Sequence, residues 1–301
     1  SLTCGSSISH WGRYEVEGQI QFIVPQGVKD CCASENIMRI LNPSYTSRNY
    51  DLKSFNLPVI KKSIQQNDSN DIKIIAKFNK IIISRRLQVH KPLIFDINSF
   101  KNSDSLSANK LNFILSNDFT NKGSLYSEDS LSIFTKSFIN QNNRQIGAMN
   151  DVVIEMENEL INQPKSIIFS QAGDIKVVSA SINNQKAVIQ AGGILLLNSC
   201  YDINNKGGII QAIDPTRESL IKCNRFVNSE QIITEKFFFT SRDVIISPPG
   251  NLIIAGDCKL DCKLVHIGII RICGKIYNDK NNPFYIESKS VGQAPDLFSA
   301  N

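Results

Sequence analysis

The stretch Ile182–Ser199, INNQKAVIQAGGILLLNS, is followed closely by Ile203–Pro215, INNKGGIIQAIDP. With a shift of 21 residues, Asn183 falls on Asn204, Ile189 on Ile210, Gln190 on Gln211 and Ala191 on Ala212. Outward from this pair the phrase recurs as Phe119-Thr120-Asn121, Ile139-Asn140-Gln141, Ile161-Asn162-Gln163, Ile182-Asn183-Asn184 and Ile203-Asn204-Asn205, at steps of 20, 22, 21 and 21. Near-equal steps carrying one chemistry are the mark of a repeat architecture.

The units do not carry a helical pattern. Helical repeats need two amphipathic helices with apolar residues at i, i+3, i+4 and i+7. Asp151-Val152-Val153-Ile154-Glu155-Met156 and Asp174-Ile175-Lys176-Val177-Val178-Ser179 are instead β-branched and close to period two, which is strand chemistry. Asn, Gly and Gln fill the breaks, where they tolerate left-handed backbone or bond to it locally. Two or three short strands and tight corners within one repeat make one turn of a solenoid. The expected fold is therefore all-β: a parallel β-helix of about 21 residues per coil, with successive rungs about 4.8 Å apart. An Asn at the same corner of each coil can form a ladder of side-chain amides, satisfying groups the sheet leaves unpaired. Asn121, Asn140, Asn162, Asn183 and Asn204 are the expected rungs.

Composition sets the outer bounds. The chain has 301 residues, of which 42% are hydrophobic and 20% charged, so a sizeable core is possible and wholesale disorder is excluded. Its longest apolar runs, such as Ile81-Ile82-Ile83 and Ile194-Leu195-Leu196-Leu197, fall far short of the ~18 residues of a membrane-spanning helix. The opening SLTCGSSISHWGRYEVEG has neither the basic nor the apolar region of a signal peptide. With no initiating Met, it reads as an internal piece of something longer. The net charge of +5 is spread out, densest at Lys61-Lys62 and Arg85-Arg86, without the aromatic interleaving of a nucleic-acid face. No nucleic-acid partner is expected. The eight cysteines are irregularly spaced and do not define a disulfide scaffold.

The coils resemble the haemagglutinin repeats of filamentous-haemagglutinin-like exoproteins. The resemblance rests on Asn204-Asn205-Lys206-Gly207-Gly208-Ile209-Ile210-Gln211-Ala212, on Ile189-Gln190-Ala191-Gly192-Gly193-Ile194-Leu195 and on Gln171-Ala172-Gly173-Asp174-Ile175. Gly250-Asn251-Leu252-Ile253-Ile254-Ala255-Gly256 looks like a degenerate copy. It covers residues 110–215 well and 226–278 weakly. It implies a right-handed β-helix exported by two-partner secretion, forming a rod for adhesion or for delivery of a contact-dependent toxin. Neither the family's secretion domain nor a toxin domain is apparent, so the implied role is a piece of that rod. The partners it implies are an outer-membrane transporter and a receptor on a target or host cell. The implied location is secreted, at the bacterial cell surface.

The flanks are less regular. Residues 1–105 read as an irregular β-rich region, either further coils with insertions or a subdomain outside the helix, residues 106–278 as the repeat region, and residues 279–301 as an extended tail. Strands are expected at Tyr14–Val24, Asp71–Phe78 and Lys80–Ser84, a short helix within Gly27–Asn42, and a loop at Gln65–Asn70.

Cys258, Cys262, His266 and Cys273 are the best metal constellation, since zinc takes Cys and His. Strand parity argues against it. Cys258 and Cys262 share a face with Leu260 and Leu264, while Cys273 has the other parity, so cysteines packed as small hydrophobes are expected and no metal. Cys31-Cys32 has no partners at ligand spacing, and His10, His90 and His266 sit in no nucleophile signature. Glu155, Glu157 and Glu159 read as a solvated face, and Asp214-Pro215-Thr216-Arg217-Glu218 as a loop interrupting a coil. No phosphate loop or G-x-S-x-G occurs. No catalytic residue and no cofactor is expected. The reading is a non-enzymatic segment of a rod-forming exoprotein, adhesin or toxin stalk. Its competitors are a β-helical carbohydrate-active enzyme, a lyase or glycosidase with paired acids, and a phage-tail or capsule-binding module.

Overall fold

The computed structural model describes residues 20–25, 62–67, 72–83, 86–89, 91–214, 216–229, 231–234, 237–246, 251–254, 258–266, 269–272, 276–278 and 286–288. All regular structure among them is strand, and apart from one antiparallel pair near the start of the chain the strands stack in parallel as a β-solenoid with about 21 residues per coil. No helix among the described residues is long and apolar enough to cross a membrane. The chain forms two compact units, Ser1–Lys136 and Ser137–Asn301.

In the first unit, Ile72–Ile83 pairs in parallel with Leu93–Asn102, with a register shift between Ala76 and Lys80. Leu93–Asn102 then pairs with both Leu111–Leu115 and Asp118–Asn121. A second, shorter series, Leu87–Val89, Ser105–Ala108 and Ser124–Ser127, stacks in the same way. Alternation decides which side chains go inward. Leu93–Asn102 is buried at alternate residues from Leu93 to Ser99 and again from Phe100 to Asn102, because successive side chains of a strand face opposite sides, the phase shifting where Ser99 and Phe100 are both buried. Phe95 and Phe113 are register partners stacked at 4.9 Å; Phe100 lies 4.7 Å from Phe113 and Phe119 5.1 Å from it, all four fully buried. Such ring contacts add about 0.5–1.5 kcal/mol per pair beyond the area they bury.

At the start of this unit the direction changes. Ile20–Pro25 pairs in parallel with Lys62–Asn67 but antiparallel with Ile72–Ile83, through Gln21↔Ile75, Phe22↔Ile74 and Ile23↔Lys73. The expected loop at Gln65–Asn70 is thus corrected over Gln65, Gln66 and Asn67. Their backbones partner Ile23, Val24 and Pro25, and strand pairing depends on backbone groups, which polar side chains leave available. The expected helix within Gly27–Asn42 lies outside the described residues, as do His10, Cys31, Cys32 and His90.

In the second unit each coil runs through three strand positions. The first is occupied by Val152–Met156, Ile175–Ser179 and Leu195–Ser199, and the second by Ser137–Asn140, Glu159–Asn162, Ser181–Asn183 and Asp202–Asn205. Ser219–Asn228, Phe237–Ile246 and Cys258–His266 each cover both positions in one strand. The third position forms a separate ladder: Gln145–Ala148, Ile167–Ser170, Val188–Ala191, Ile209–Ala212, Gln231–Thr234, Asn251–Ile254 and Ile269–Ile272. Aliphatic residues line up from coil to coil: Ile146, Ile168, Ile189 and Ile210 in one column, Ile154, Val177, Leu197 and Ile221 in another. Each buried side chain contributes about 1.5–3 kcal/mol of transfer free energy, gained only against its neighbours in the stack.

Candidate functional site

The corner after the second strand position carries the buried polar groups. Each time, an inward apolar residue is followed by an outward residue and then by a buried Asn: Phe100-Lys101-Asn102 and Phe119-Thr120-Asn121 in the first unit. The second unit repeats it with Phe138-Ile139-Asn140, Leu160-Ile161-Asn162, Ile182-Asn183-Asn184 and Ile203-Asn204-Asn205, and Phe226-Val227-Asn228 follows with a middle residue that is itself buried. Asn102 donates its Nδ2 to the Oδ1 of Asn121 at 2.9 Å. In the second unit the chain runs Asn140 to Asn162 at 2.9 Å, Asn162 to Asn184 at 2.8 Å, Asn184 to Asn205 at 2.7 Å and Asn205 to Asn228 at 2.6 Å.

The second proton of each amide goes to a corner carbonyl. Asn121 donates to Gly123 O, Asn162 to Val188 O and Asn205 to Gly208 O, at 2.8, 3.0 and 2.9 Å. A buried amide is costly when unpaired, and this arrangement pairs its donors twice over while fixing the corner's shape. Bonds aligned head to tail also polarise one another. At its first rung the ladder stops. Asn102 Oδ1 is buried without a partner, because its register neighbour on the preceding strand is Ile83, whose side chain carries no donor.

Of the five Asn residues expected from the sequence, Asn121, Asn140 and Asn162 lie in the ladder. Asn183 and Asn204 do not; Asn184 and Asn205 hold those rungs. The reason is strand parity. Ile139 and Ile161 face outward, whereas Ile182 and Ile203 face inward, so matching Ile-Asn dipeptides shifts the last two coils by one residue. Asn183 and Asn204 are half-exposed and use their Oδ1 to accept the backbone N–H of Gln185 and Lys206. Asn102 and Asn228 also went unpredicted. The signal that finds all seven is an apolar residue followed two positions later by Asn.

Beside the ladder, the chain turns with a left-handed residue in each of four coils: Asn143, Lys165, Lys186 and Gly207, with φ of 60, 62, 54 and 65°. Only Gly adopts this without steric cost.

The most concentrated charge among the described residues is at the corner after the third position. Asp151 Oδ1 accepts the backbone N–H of Asp174 at 2.9 Å, and Asp174 Oδ1 accepts that of Ile194 at 3.1 Å. Arg217, from the loop expected at residues 214–218, then grips Asp174 with both terminal nitrogens at 2.8 and 2.7 Å and donates Nε to Asp214 at 2.7 Å. This fork geometry is the strong form of ion pair. Gly193 makes room for it: a Cβ there would stand 2.1 Å from Asp174 Oδ1. The hydroxyl and N–H of Thr216, and then Arg217, hold the Asp214 carboxyl well below the usual carboxylate range. Asp174 first, then Asp214, pushes the Arg217 guanidinium further up.

The acidic run resolves differently. Glu155 pairs with Lys176 at 2.6 Å, Glu157 is exposed at a bend, and Glu159 begins the next strand, its carboxyl raised by partial burial. Among the described residues no group of three or more His, Cys, Asp and Glu is placed to hold a metal. The backbone of Cys258–His266 is strand; the side chains of Cys258, Cys262 and His266, and all of Cys273, lie outside the described residues. No family model, curated protein or solved structure matches the chain.

Proposed function

We propose that the chain is a segment of a secreted, rod-forming β-helical exoprotein that acts as a surface adhesin or as the stalk of a contact-dependent toxin delivery protein. The observation that carries the reading is the coil-to-coil register, in which Ile182 stacks on Ile203 and Asn184 on Asn205. Each coil closes its core against its neighbours alone, so further coils add length at about 4.8 Å each without needing a larger core. A mechanical spacer needs this property. The likeness of residues 171–175, 189–195 and 204–212 to haemagglutinin repeats supports the same reading, and with it export through an outer-membrane two-partner transporter and a receptor on the target cell. The role is structural, with no chemical step assigned to any residue.

Antibodies raised against the chain test this on intact cells of the source organism. Labelling of unbroken cells is expected, along with its loss when the partner transporter is deleted. Labelling only after lysis, or cleavage of a polysaccharide by the purified chain, contradicts it.

A further inference from the structure

The corner after the second strand position of the second unit carries a row of cations. Arg144, Lys165, Lys186 and Lys206 stand there on four successive coils, all of them exposed. Residues 140–148, 162–170, 184–191 and 205–212, which form these corners and the strands that follow, contain no Asp or Glu. Acids gather instead at the far end of those strands, where Asp151, Asp174 and Asp214 are engaged by backbone N–H groups and Arg217. None of the four cationic side chains has an ion pair or hydrogen bond among the described residues.

Folding does not call for these charges. Lys165 and Lys186 hold left-handed backbone, two residues before the register partners Ile167 and Val188. The same position on the flanking coils is Asn143 and Gly207, residue types that adopt this conformation at less cost than Lys. Two coils thus accept backbone strain to display a charge that makes no contact within the fold, and strain without a structural return points to function.

We infer that this corner binds an extended acidic polysaccharide with one carboxylate per sugar, a polyuronate, laid along the solenoid axis. Strand spacing sets successive cations about 4.8 Å apart, so the row covers about 14 Å. A sugar ring in an extended chain advances by about one such step, which brings successive carboxylates to successive cations. Half-exposed Gln141 and Gln185 flank the row with amides for the sugar hydroxyls. Nucleic acid fits less well: phosphates along one strand of a duplex recur about every 3.4 Å, and the corner has no aromatic side chain on which a base could stack. Exposed ion pairs are individually weak, so binding needs several at once and is screened by salt. Naming a ligand class deepens the adhesin reading and rests on it; absence of binding would overturn the ligand alone, whereas labelling of intact cells decides the exported rod.

Affinity electrophoresis of the whole chain through gels containing polygalacturonate and EDTA tests it, with the fully methyl-esterified polymer as the uncharged control. Retardation by the acid form alone is expected, fading as salt rises above about 0.1 M. Lys165→Gly combined with Lys186→Gly should weaken binding about fivefold or more. The same variant should raise the urea midpoint, because glycine relieves the left-handed corner, so lost folding cannot explain lost binding. Lys110→Gln with Lys222→Gln removes equal charge at exposed sites away from the corner and should leave retardation close to the parent's. Should the glycine variant lose its β circular dichroism, Arg144→Gln with Lys206→Gln, outside the left-handed positions, decides instead. No retardation at low salt overturns the inference, as does equal retardation by the methyl ester or equal loss in the corner and control variants. Tighter binding to single-stranded DNA than to polygalacturonate also overturns it and gives the row to nucleic acid.

Discussion

Asn184 donates its side-chain amide to Asn205, 21 residues further along and one coil on, at 2.7 Å. The bond lies in the buried corner, and both residues are fully shielded from solvent. It gives a way to separate the ladder from the Asn residues beside it. In Asn184→Ala, Asn162 loses its acceptor, Asn205 its donor, and the carbonyls of Ala187 and Ile209 their amide proton. Each buried group left unpaired costs about 1–3 kcal/mol, so a loss of about 2–4 kcal/mol in urea unfolding is expected after partial relaxation. Asn183→Ala, one residue away but facing outward, should change stability by about 0.5 kcal/mol or less. Equal effects would mean that the rungs are misassigned.

The left-handed corner residues provide the second prediction. Lys165 and Lys186 hold φ of 62 and 54° where Gly207 holds 65°. Lys186→Gly should relieve the Cβ clash and raise stability by about 0.5–1 kcal/mol, net of glycine's greater freedom in the unfolded chain. Gly207→Ala should lower it by a similar amount, with the denaturation midpoints moving in opposite directions.

The aromatic cluster of the first unit is expected to be its most sensitive point. Phe113 stacks on Phe95 and lies within 4.7 and 5.1 Å of Phe100 and Phe119. Phe113→Ala should cost about 3–5 kcal/mol, whereas Ile114→Ala, at a side chain 42% exposed, should cost far less. Thermal unfolding followed by circular dichroism distinguishes them.

The Arg217 clasp predicts an acid dependence. Asp214 has a folded-state pKa below its unfolded value of 3.8. Its contribution is therefore complete above that value and is lost as pH falls towards the depressed one. Protease cleavage within residues 213–218 should be slow from neutral pH down to about 4 and quicken below it. In Arg217→Ala cleavage should already be fast at neutral pH. A parent chain cut equally fast at neutral and acid pH would show that the clasp does not hold the loop.

Much of this was legible in the sequence, because a solenoid writes its local rules once per coil. Alternation in Val152–Met156 and Ile175–Ser179 named the strands, and the 21-residue shift between Ile189 and Ile210 named their stacking. Phase was harder. Ile-Asn at Ile161-Asn162 and at Ile182-Asn183 reads identically, yet the first Ile faces out and the second in, and only the neighbouring Leu160 and Asn184 reveal it. The clasp was not legible. Asp174 and Arg217 are 43 residues apart, and their meeting depends on Gly193 leaving room between two coils, which no local pattern encodes.

The stacking of coils is tested most directly with spin labels on Asn183→Cys and Asn204→Cys in one chain, in a background with the accessible native cysteines replaced. These positions are half-exposed register partners on adjacent rungs, about 4.8 Å apart at the backbone. Strong dipolar broadening in the doubly labelled chain, absent from either single label, is the expected result. A double-label spectrum equal to the sum of the two singles would contradict the solenoid.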